Sequence, residues 1–357
     1  MANPISLSQL TLNPKEVEDV KQFIKAIVLQ NPELRDLHRI MDGVKMKQQL
    51  VLVEGLKKTG RKADDDCDRV SSGATSTLVQ KYAEPVAIED FFEICAKEWD
   101  SLWKPLYDKI NDYRGRYDIE GTDVAIMIAD MVKQSIMDSV WRLAWYGDTD
   151  VAQSTASDAG VKTAGDVAVY SPIDGFFKQI ISAVTASPST IGKYVDITSL
   201  QSSETVTAAN AYNTFMSVYK GADARLRADK NAKFYVTDQL GLGLMEYMQT
   251  NSVNFTLTVT ENGWSTFKFM GHDVVMMTSV WDQANADFET DSTSGDPYLQ
   301  HRLVFTLPNN LVLATLDAEG IDNLEVFYEQ KERKMAIGFG YTLDAILLDE
   351  KLVAVAF

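Results

Sequence analysis

The sequence has few of the residues that build reactive or metal-binding sites. Its 357 residues include two cysteines, Cys67 and Cys95, and three histidines, His38, His272 and His301. The cysteines form neither a disulfide framework nor a metal-ligand spacing, and the histidines are not spaced like zinc ligands. We therefore expect all five to be structural or surface residues, and we expect no metal and no cofactor. So few cysteines also fit a reducing compartment.

Motifs of catalysis are missing as well. There is no Gly-Lys-Ser/Thr phosphate loop and no Gly-x-Ser-x-Gly elbow, and the glycine pairs of 241–243 and 338–340 lack the further glycine of a dinucleotide fingerprint. The aspartates of 64–68 lack the alternating spacing of a calcium loop, so a solvated loop is the better interpretation. Carboxylates are plentiful, but sequence alone places no two of them across a substrate. These absences predict a protein that is not an enzyme.

Six aromatic residues admit two interpretations, a ligand site or core packing. Core packing is the simpler explanation, because aromatic side chains bury large apolar areas. We therefore predict that the set packs in the core. It consists of Phe91, Phe92, Trp99, Trp103, Trp141 and Trp145.

Long apolar runs do not occur. No stretch approaches the roughly 20 consecutive apolar residues of a membrane span. Residues 1–12 lack the basic start and the apolar run of a secretory signal. We expect no membrane partner and no secretory signal.

Charge is distributed unevenly along the chain. The formal net charge is −17, but residues 1–70 hold 12 Lys/Arg against 11 Asp/Glu, which leaves −18 for the rest. An acidic body argues against a protein that reads DNA through a basic face. A solvated loop would explain the basic stretch at 45–62, and the alternative is an arm that lies on an acidic surface of a neighbouring copy. This stretch has one acid, Glu54, and six basic residues, Lys45, Lys47, Lys57, Lys58, Arg61 and Lys62.

The first third of the sequence predicts a helix followed by a two-stranded ribbon. A helix begins after Asn13, with Pro14 at its first position, and ends at 31–32. Strands are predicted over 45–54 and 78–93, with Pro85 inside the second, and a polar stretch without apolar periodicity lies between them. A two-stranded ribbon is marginally stable by itself, so this one needs a surface to lie on.

The rest of the sequence predicts one long helix, three shorter helices and a late run of strands. The long helix covers 121–146, carries two apolar stripes and ends at Gly147. Shorter helices begin near Ser171, Thr207 and Thr237. The two strands around the Pro-Asn-Asn turn are predicted to form a hairpin, and the fold class is α+β. The strands are 233–236, 254–260, 264–269, 274–277, 302–307, 311–316, 324–328, 335–339, 345–348 and 352–357.

The order of these parts, together with four short motifs, resembles the major capsid proteins of tailed bacteriophages, which have the Hong Kong 97-type fold. The resemblance covers residues 13–357, and Ala314 stands where the family usually has glycine. The motifs are Ala144-Trp145-Tyr146-Gly147-Asp148, Ser171-Pro172-Ile173-Asp174-Gly175-Phe176, Phe269-Met270-Gly271-His272-Asp273-Val274-Val275 and Asn309-Asn310-Leu311-Val312-Leu313-Ala314-Thr315.

The resemblance implies four structural units. Residues 1–43 would be an N-terminal arm and 44–84 an extended β loop. Residues 85–165 and 321–357 would form a peripheral domain with a long spine helix, and 166–320 an axial domain. The family's extended loop lies over the peripheral domain of a neighbouring subunit, so the six basic residues named above become predicted inter-subunit contacts.

The resemblance also implies a function, partners and a location. The chain would assemble as hexamers and pentamers into the icosahedral head that encloses double-stranded DNA, without sequence-specific contact to it. Scaffolding, portal and decoration proteins are further expected partners, and the protein would be found in the virion capsid after assembly in the host cytoplasm. A lysine–asparagine cross-link known in this family is not carried over, because nothing in the sequence identifies the asparagine that would match Lys57, Lys58 or Lys62.

Two alternatives stay open at this point. One is an encapsulin, a shell of the same fold that encloses cargo protein, although encapsulins are typically shorter. The other is a soluble α+β enzyme or ligand-binding protein. For a capsid, either a separate scaffolding protein or a processed precursor would fit the sequence.

Overall fold

The structure is a computed structural model in which part of the chain is described. It describes residues 32–45, 47–53, 78–95, 123–150, 168–201, 205–251, 258–259, 265–277, 281, 300–316, 325–329 and 334–357. The predicted helix after Asn13, the polar stretch between the ribbon strands and the predicted turn at 262–263 lie outside these residues.

The chain contains both helices and strands, and most strand pairs are antiparallel, so the α+β prediction is confirmed. The helices are α1 (Pro32–Leu37), α2 (Asp123–Tyr146), α3 (Phe176–Ala186), α4 (Ala208–Gly221), α5 (Ala224–Ala228) and α6 (Asp238–Thr250). The strands are β1 (Arg39–Met41), β2 (Gln48–Val53), β3 (Leu78–Ala83), β4 (Val86–Cys95), β5 (Lys193–Val195), β6 (Lys233–Val236), β7 (Thr258–Val259), β8 (Ser265–Phe269), β9 (His272–Met276), β10 (Leu303–Thr306), β11 (Leu311–Ala314), β12 (Glu325–Glu329), β13 (Lys334–Leu347) and β14 (Val353–Ala356).

Three sheets organise these strands. A seven-stranded sheet has the order β5-β14-β10-β6-β9-β8-β7, and a five-stranded sheet has the order β1-β11-β13-β12, with β4 also paired to β13. Strands β2 and β3 form a separate two-stranded ribbon. The long helix α2 and helix α3 pack between the two larger sheets, because side chains of both sheets join one core with them.

The central strands of the seven-stranded sheet are buried on both faces. Successive side chains of a strand point to opposite faces. In β6, Phe234 and Val236 therefore pack with α4 and α6, whereas Tyr235 packs with α2 and α3. This double burial explains the nearly continuous apolar sequence of β6, β10 and β14.

Strand β13 is the central strand of the five-stranded sheet and pairs with β4, β11 and β12. It runs for 14 residues, where the sequence predicted two strands at 335–339 and 345–348. The intervening residues are extended too, because β4 pairs with β13 from Lys334 as far as Leu343. Strand β12 pairs with the first part of β13, and β11 pairs with its last part.

The predicted hairpin at 302–316 is wrong. Strand β10 pairs with β14 and β6, and β11 pairs with β1 and β13, so the two strands belong to different sheets. Buried Asn310, in the turn between the two strands, explains why the chain passes there from one sheet to the other. Its Nδ2 donates to Thr306 Oγ1 over 3.1 Å, and its Oδ1 accepts from the Asp349 N–H over 2.7 Å. These bonds hold the turn against the segment before β14 instead of closing it as a hairpin.

Two predicted helix starts differ in detail. Helix α3 begins at Phe176 rather than near Ser171, because the Asp174 carboxylate accepts from Thr149 instead of capping its own helix. Thr237 precedes α6 as predicted, but its hydroxyl bonds the backbone of Arg302. Helix α4 begins directly after Thr207, as predicted, and the Thr207 side chain accepts from the Asn210 N–H.

The sheets do not follow the predicted four-unit division along the whole chain. Strand β14 was assigned with 321–357 to the peripheral domain, yet it lies inside the seven-stranded sheet, between β5 and β10. Strand β11 was assigned to the axial segment 166–320, yet it pairs with β13 in the five-stranded sheet. The division into arm, loop, peripheral and axial units otherwise stays a prediction.

A strained turn joins β8 and β9. Met270 has φ 50° and Gly271 has φ 89°, and the flanking Phe269 and His272 are paired. Two successive positive φ angles are typical of a type I′ hairpin turn, which favours Asn-Gly. Glycine adopts this backbone without strain, but methionine does not.

Replacing Met270 with asparagine is expected to stabilise the protein by about 0.5–1 kcal/mol, because asparagine tolerates the left-handed backbone. Met270 is half-exposed, so the change removes no core packing. Thermal unfolding followed by circular dichroism checks this. Gly271→Ala is the control and should lower the midpoint; a higher midpoint there would contradict the assigned turn.

Candidate functional site

The ribbon predicted from the sequence is present. Strands β2 and β3 are antiparallel, with Gln48 opposite Ala83 and Val53 opposite Leu78. Within the described residues, no third strand pairs with either of them. Within those residues the ribbon is therefore a separate two-stranded sheet that shares no strand pairing with the two larger sheets.

The two faces of the ribbon have different surroundings. Leu50 packs on a small core that contains Ala83 and Val312 at the root of the ribbon. On the opposite face, Val51 is 52% exposed and Tyr82 is 49% exposed. These two large apolar side chains lie on the same face, diagonally across the two strands, where such residues are in reach of each other. An exposed apolar pair on a thin ribbon marks an interaction surface.

The structure describes two of the six predicted contact residues. Lys45 and Lys47 are exposed near the root of the ribbon. The Lys47 ammonium donates to Glu84 Oε2 over 2.7 Å and lies 5.1 Å from the centre of the Tyr82 ring. The Glu84 carboxylate raises the pKa of Lys47. Lys57, Lys58, Arg61 and Lys62 lie outside the described residues, so their role as contacts stays a prediction.

Strand β4 offers a surface of complementary character. One face of this strand exposes Glu89 and Phe91, of which Phe91 is 51% exposed, and the opposite face carries the exposed acid Asp90. Among the described residues, β13 is its only strand partner. An exposed face with an acidic and an apolar side chain matches a ribbon that carries lysines and exposed apolar groups.

Phe91 corrects the prediction for the aromatic set. We predicted core packing, but Phe91 is exposed because its cross-strand partner, Gly338, has no side chain to cover it. Trp141 and Trp145 are buried as predicted. The side chains of Phe92, Trp99 and Trp103 lie outside the described residues.

Two of the sequence motifs meet where α2 ends and α3 begins. The Gly175 N–H donates to the Gly147 carbonyl over 2.8 Å. A Cβ on Gly175 would lie 2.7 Å from the Leu143 carbonyl oxygen and 2.8 Å from the Gly147 nitrogen. A Cβ on Gly147 would collide with the Ile173 carbonyl oxygen. Both positions therefore require glycine, which explains why each motif contains one.

His38 lies at the centre of an aromatic cluster. Its ring stacks on Phe176 at 5.6 Å between centroids and meets Trp141, Trp145 and Tyr235 at 5.0 to 6.5 Å. Its Nδ1 lies 3.3 Å from the Leu34 carbonyl oxygen, to which it donates in the neutral ring. Burial lowers the pKa of His38 to about 3. The residue is therefore neutral and structural, and the expectation of a structural or surface role is confirmed.

Acidification is expected to destabilise the protein through His38. The unfolded chain gains a proton on this histidine below about pH 6.5, while the folded chain stays neutral until pH about 3. The contribution of neutral His38 to the free energy of unfolding is therefore fully present above pH 6.5. It falls by up to about 1.4 kcal/mol for each pH unit below that. Urea denaturation of the wild type and of His38→Phe at pH 6.5 and 4.5 checks this. The wild type should lose more stability than the variant; equal losses would contradict the assignment.

Two further polar groups in the core have partners in the same chain, one in an ion pair and the other over aromatic rings. The Lys178 ammonium lies 3.0 Å from Asp148 Oδ1 and 3.6 Å from Asp150 Oδ2, and burial raises the pKa of Asp148. The buried Arg302 guanidinium lies over the rings of Tyr146 and Phe177, where cation–π attraction favours it.

His272 and His301 are buried as well. In the part of the chain that the structure describes, no three His, Cys, Asp or Glu side chains are placed to hold a metal ion. No helix there is long and apolar enough to cross a membrane.

Solved phage structures share this fold. A chain of the satellite phage P4 procapsid, in a structure that includes the size determination protein, aligns over 95% of this chain and 98% of its own length, with 12% identity and a TM-score of 0.53. A chain of Mycobacterium phage Ogopogo aligns over 90% of both chains, with 10% identity and a TM-score of 0.52. No family model and no curated protein matches the sequence. The predicted Hong Kong 97-type fold is confirmed.

Proposed function

We propose that this chain, which has the Hong Kong 97-type fold, is the major shell protein of a tailed-phage head. In this proposal it assembles as hexamers and pentamers into an icosahedral shell that encloses double-stranded DNA. The observation that carries the proposal is the fold similarity to a phage procapsid chain over nearly the whole length of both chains. A fold alone does not determine function, so the ribbon supplies the second line of support.

The ribbon supports a role in assembly because it is built for contact outside its own chain. Its outward face exposes Val51 and Tyr82, and no described strand of the same chain pairs with it. A two-stranded ribbon gains stability when it lies on a further surface. The face of β4 that exposes Glu89 and Phe91, on a neighbouring copy, is the surface we assign to it.

The basic residues of the ribbon would guide this contact. Exposed ion pairs contribute only about 0–1 kcal/mol each, so charge sets the register and apolar burial holds the shell. The Lys47–Glu84 pair within one chain is exposed, and it can exchange for a pair with a neighbour at little cost. Each contact can be weak, because every subunit in a shell makes many at once.

The proposal implies a protein that is not an enzyme and a location in the virion. The groups with strongly shifted pKa values, such as His38 and Tyr235, are buried among aromatic rings, whereas catalytic groups face a cleft. The expected partners are other copies of the chain, packaged DNA held without sequence-specific contact, and scaffolding, portal and decoration proteins. Assembly would take place in the host cytoplasm.

Negative-stain electron microscopy of the purified protein at high concentration tests the proposal. We expect closed shells or capsomers with five- and six-fold symmetry. Particles that hold protein cargo and no nucleic acid would instead favour an encapsulin. A monodisperse monomer at every concentration, with or without a co-expressed scaffold, would overturn the proposal.

The assembly role of the loop is tested by charge reversal. Changing Lys57, Lys58, Arg61 and Lys62 to glutamate should abolish shells while the circular dichroism spectrum stays unchanged, because the reversed loop repels an acidic neighbour. The control makes the same charge change on exposed positions around the seven-stranded sheet and should still form shells. Loss of shells in both variants would assign the effect to net charge rather than to the loop. The control positions are Lys220, Arg227, Lys230 and Lys268.

A further inference from the structure

The root of the ribbon is held by two carboxylates from one short segment of the same chain. The Lys81 ammonium donates to Glu350 Oε1 over 2.8 Å, and both side chains are partly buried. The Glu84 backbone N–H donates to Asp344 Oδ2 over 2.7 Å. Residues 344–350 therefore hold the ribbon at two points, at Lys81 within β3 and at Glu84 directly after it.

This segment is itself firmly anchored. The Leu347 N–H donates to Gln179 Oε1 of helix α3 over 2.9 Å. Asp349 exchanges two bonds with the buried Asn310 side chain, its N–H donating to Oδ1 and its carbonyl accepting from Nδ2. Residues 344–350 can hold the ribbon in place only if they are fixed themselves, and these hydrogen bonds fix them to helix α3 and to Asn310.

The same segment is one of the covalent connections between the two large sheets, and the turn at 308–310 is another. Asp344 lies in β13, opposite Ala314 of the five-stranded sheet. Glu350 lies in the short helical turn that leads into β14 of the seven-stranded sheet. The two carboxylates that hold the ribbon therefore belong to opposite ends of a connection between sheets.

We infer that residues 344–350 act as a clamp that couples the direction of the ribbon to the relative position of the two sheets. A rotation between the sheets would move Asp344 and Glu350 apart and break one of their two contacts with the ribbon. The ribbon would then change direction by turning about the contact that remains. A ribbon held in one direction also loses less freedom when it binds, which favours association. This consequence rests on the proposed function, but the clamp itself is a property of the single chain.

Distances between two spin labels on the unassembled protein test the clamp. One label replaces Gln49 on the ribbon and the other replaces Asn213 on α4, both of which are exposed. Cys67 and Cys95 are first changed to serine so that only the introduced cysteines are labelled. We expect one narrow distance maximum for the intact clamp. A broad distribution there would overturn the inference, because the ribbon would then have no fixed direction.

Charge reversal at either end of the Lys81–Glu350 pair should break the clamp. Lys81→Glu and Glu350→Lys should each broaden the distance distribution, and the double swap should narrow it again. A narrow distance distribution in the double variant would show that the broadening comes from loss of the Lys81–Glu350 pair and not from general disruption of the fold. Unchanged distributions in both single variants, or no rescue in the double variant, would overturn the inference.

Lys47→Glu is the matched control. It makes the same charge change on the ribbon, but it removes an exposed pair to Glu84, which lies at the root of the ribbon itself. It should leave the distance distribution narrow, and a broadening equal to that of Lys81→Glu would count against the clamp. Shell formation by the unlabelled wild type is scored separately, so a failure to assemble bears on the proposed function and not on this measurement.

Discussion

Replacing Gly175 with alanine is expected to destabilise the protein by about 3 kcal/mol or more, at the upper end of what overpacking does. The new Cβ would lie 2.7 Å from the Leu143 carbonyl oxygen, 2.8 Å from the Gly147 nitrogen and 2.9 Å from the Trp145 carbonyl carbon. All three atoms are backbone, so no side chain can turn aside to make room. The end of α2 and the start of α3 would have to separate, which would open the core around Trp145. Urea denaturation gives the free energy of unfolding.

Gly43→Ala is the matched control for this prediction. Gly43 has φ 77°, so alanine is strained there, but a Cβ would meet nothing within 4 Å. Backbone strain alone should cost about 1–2 kcal/mol. Gly175 itself has φ −71°, which any residue adopts, so a loss no larger than that of Gly43→Ala would contradict a close approach that requires glycine at position 175.

The sequence predicted the elements whose signal is local. The apolar stripes of 121–146 and the glycine that follows them predicted helix α2 nearly to its ends. The apolar segments 45–54 and 78–93 predicted the ribbon, but the second predicted strand divides at Pro85, and residues 86–95 form β4, which pairs with β13. In both cases the residues that define the element are neighbours in the sequence, so periodicity and turn residues were sufficient.

Pairings between distant segments could not be predicted in the same way. The Pro-Asn-Asn turn at 308–310 indicated a turn, but the sequence does not reveal that Asn310 bonds Asp349 and sends the two flanking strands into different sheets. The four-ring cluster around His38 is equally hidden, because Trp141, Phe176 and Tyr235 come from three separate elements.

In the candidate site, too, local features were predicted from the sequence and contacts between distant residues were not. Its basic residues were visible as a charge run, and the two that the structure describes lie at the root of the ribbon. The exposure of Phe91 was missed, because it depends on Gly338 of a strand more than two hundred residues away in the sequence. The Lys81–Glu350 contact was missed for the same reason, since those residues are 269 positions apart.

A variant that carries Val51→Asp and Tyr82→Asp is expected to fold normally and to form no shells. Both side chains are about half exposed on the outward face of the ribbon, so the isolated chain loses little burial when they change. In a shell, the same positions would place two carboxylates against the face of a neighbouring β4 that exposes Glu89 and Phe91, and like charges would oppose the contact. Size-exclusion chromatography with light scattering, together with electron microscopy, measures assembly, and thermal unfolding measures the fold.

The conservative pair Val51→Ile and Tyr82→Phe is the control, and it should assemble like the wild type because it keeps the apolar contact. If the aspartate variant also assembles, the ribbon does not use this face and the proposed interface is wrong. If it fails to assemble and its unfolding midpoint falls as well, substituting serine at both positions separates the causes. Serine removes the apolar contact without adding charge, so shells should still be lost while the midpoint returns to that of the wild type. The physical reason is that a two-stranded ribbon contributes little to the stability of its own chain and gains its energetic role only against a second surface.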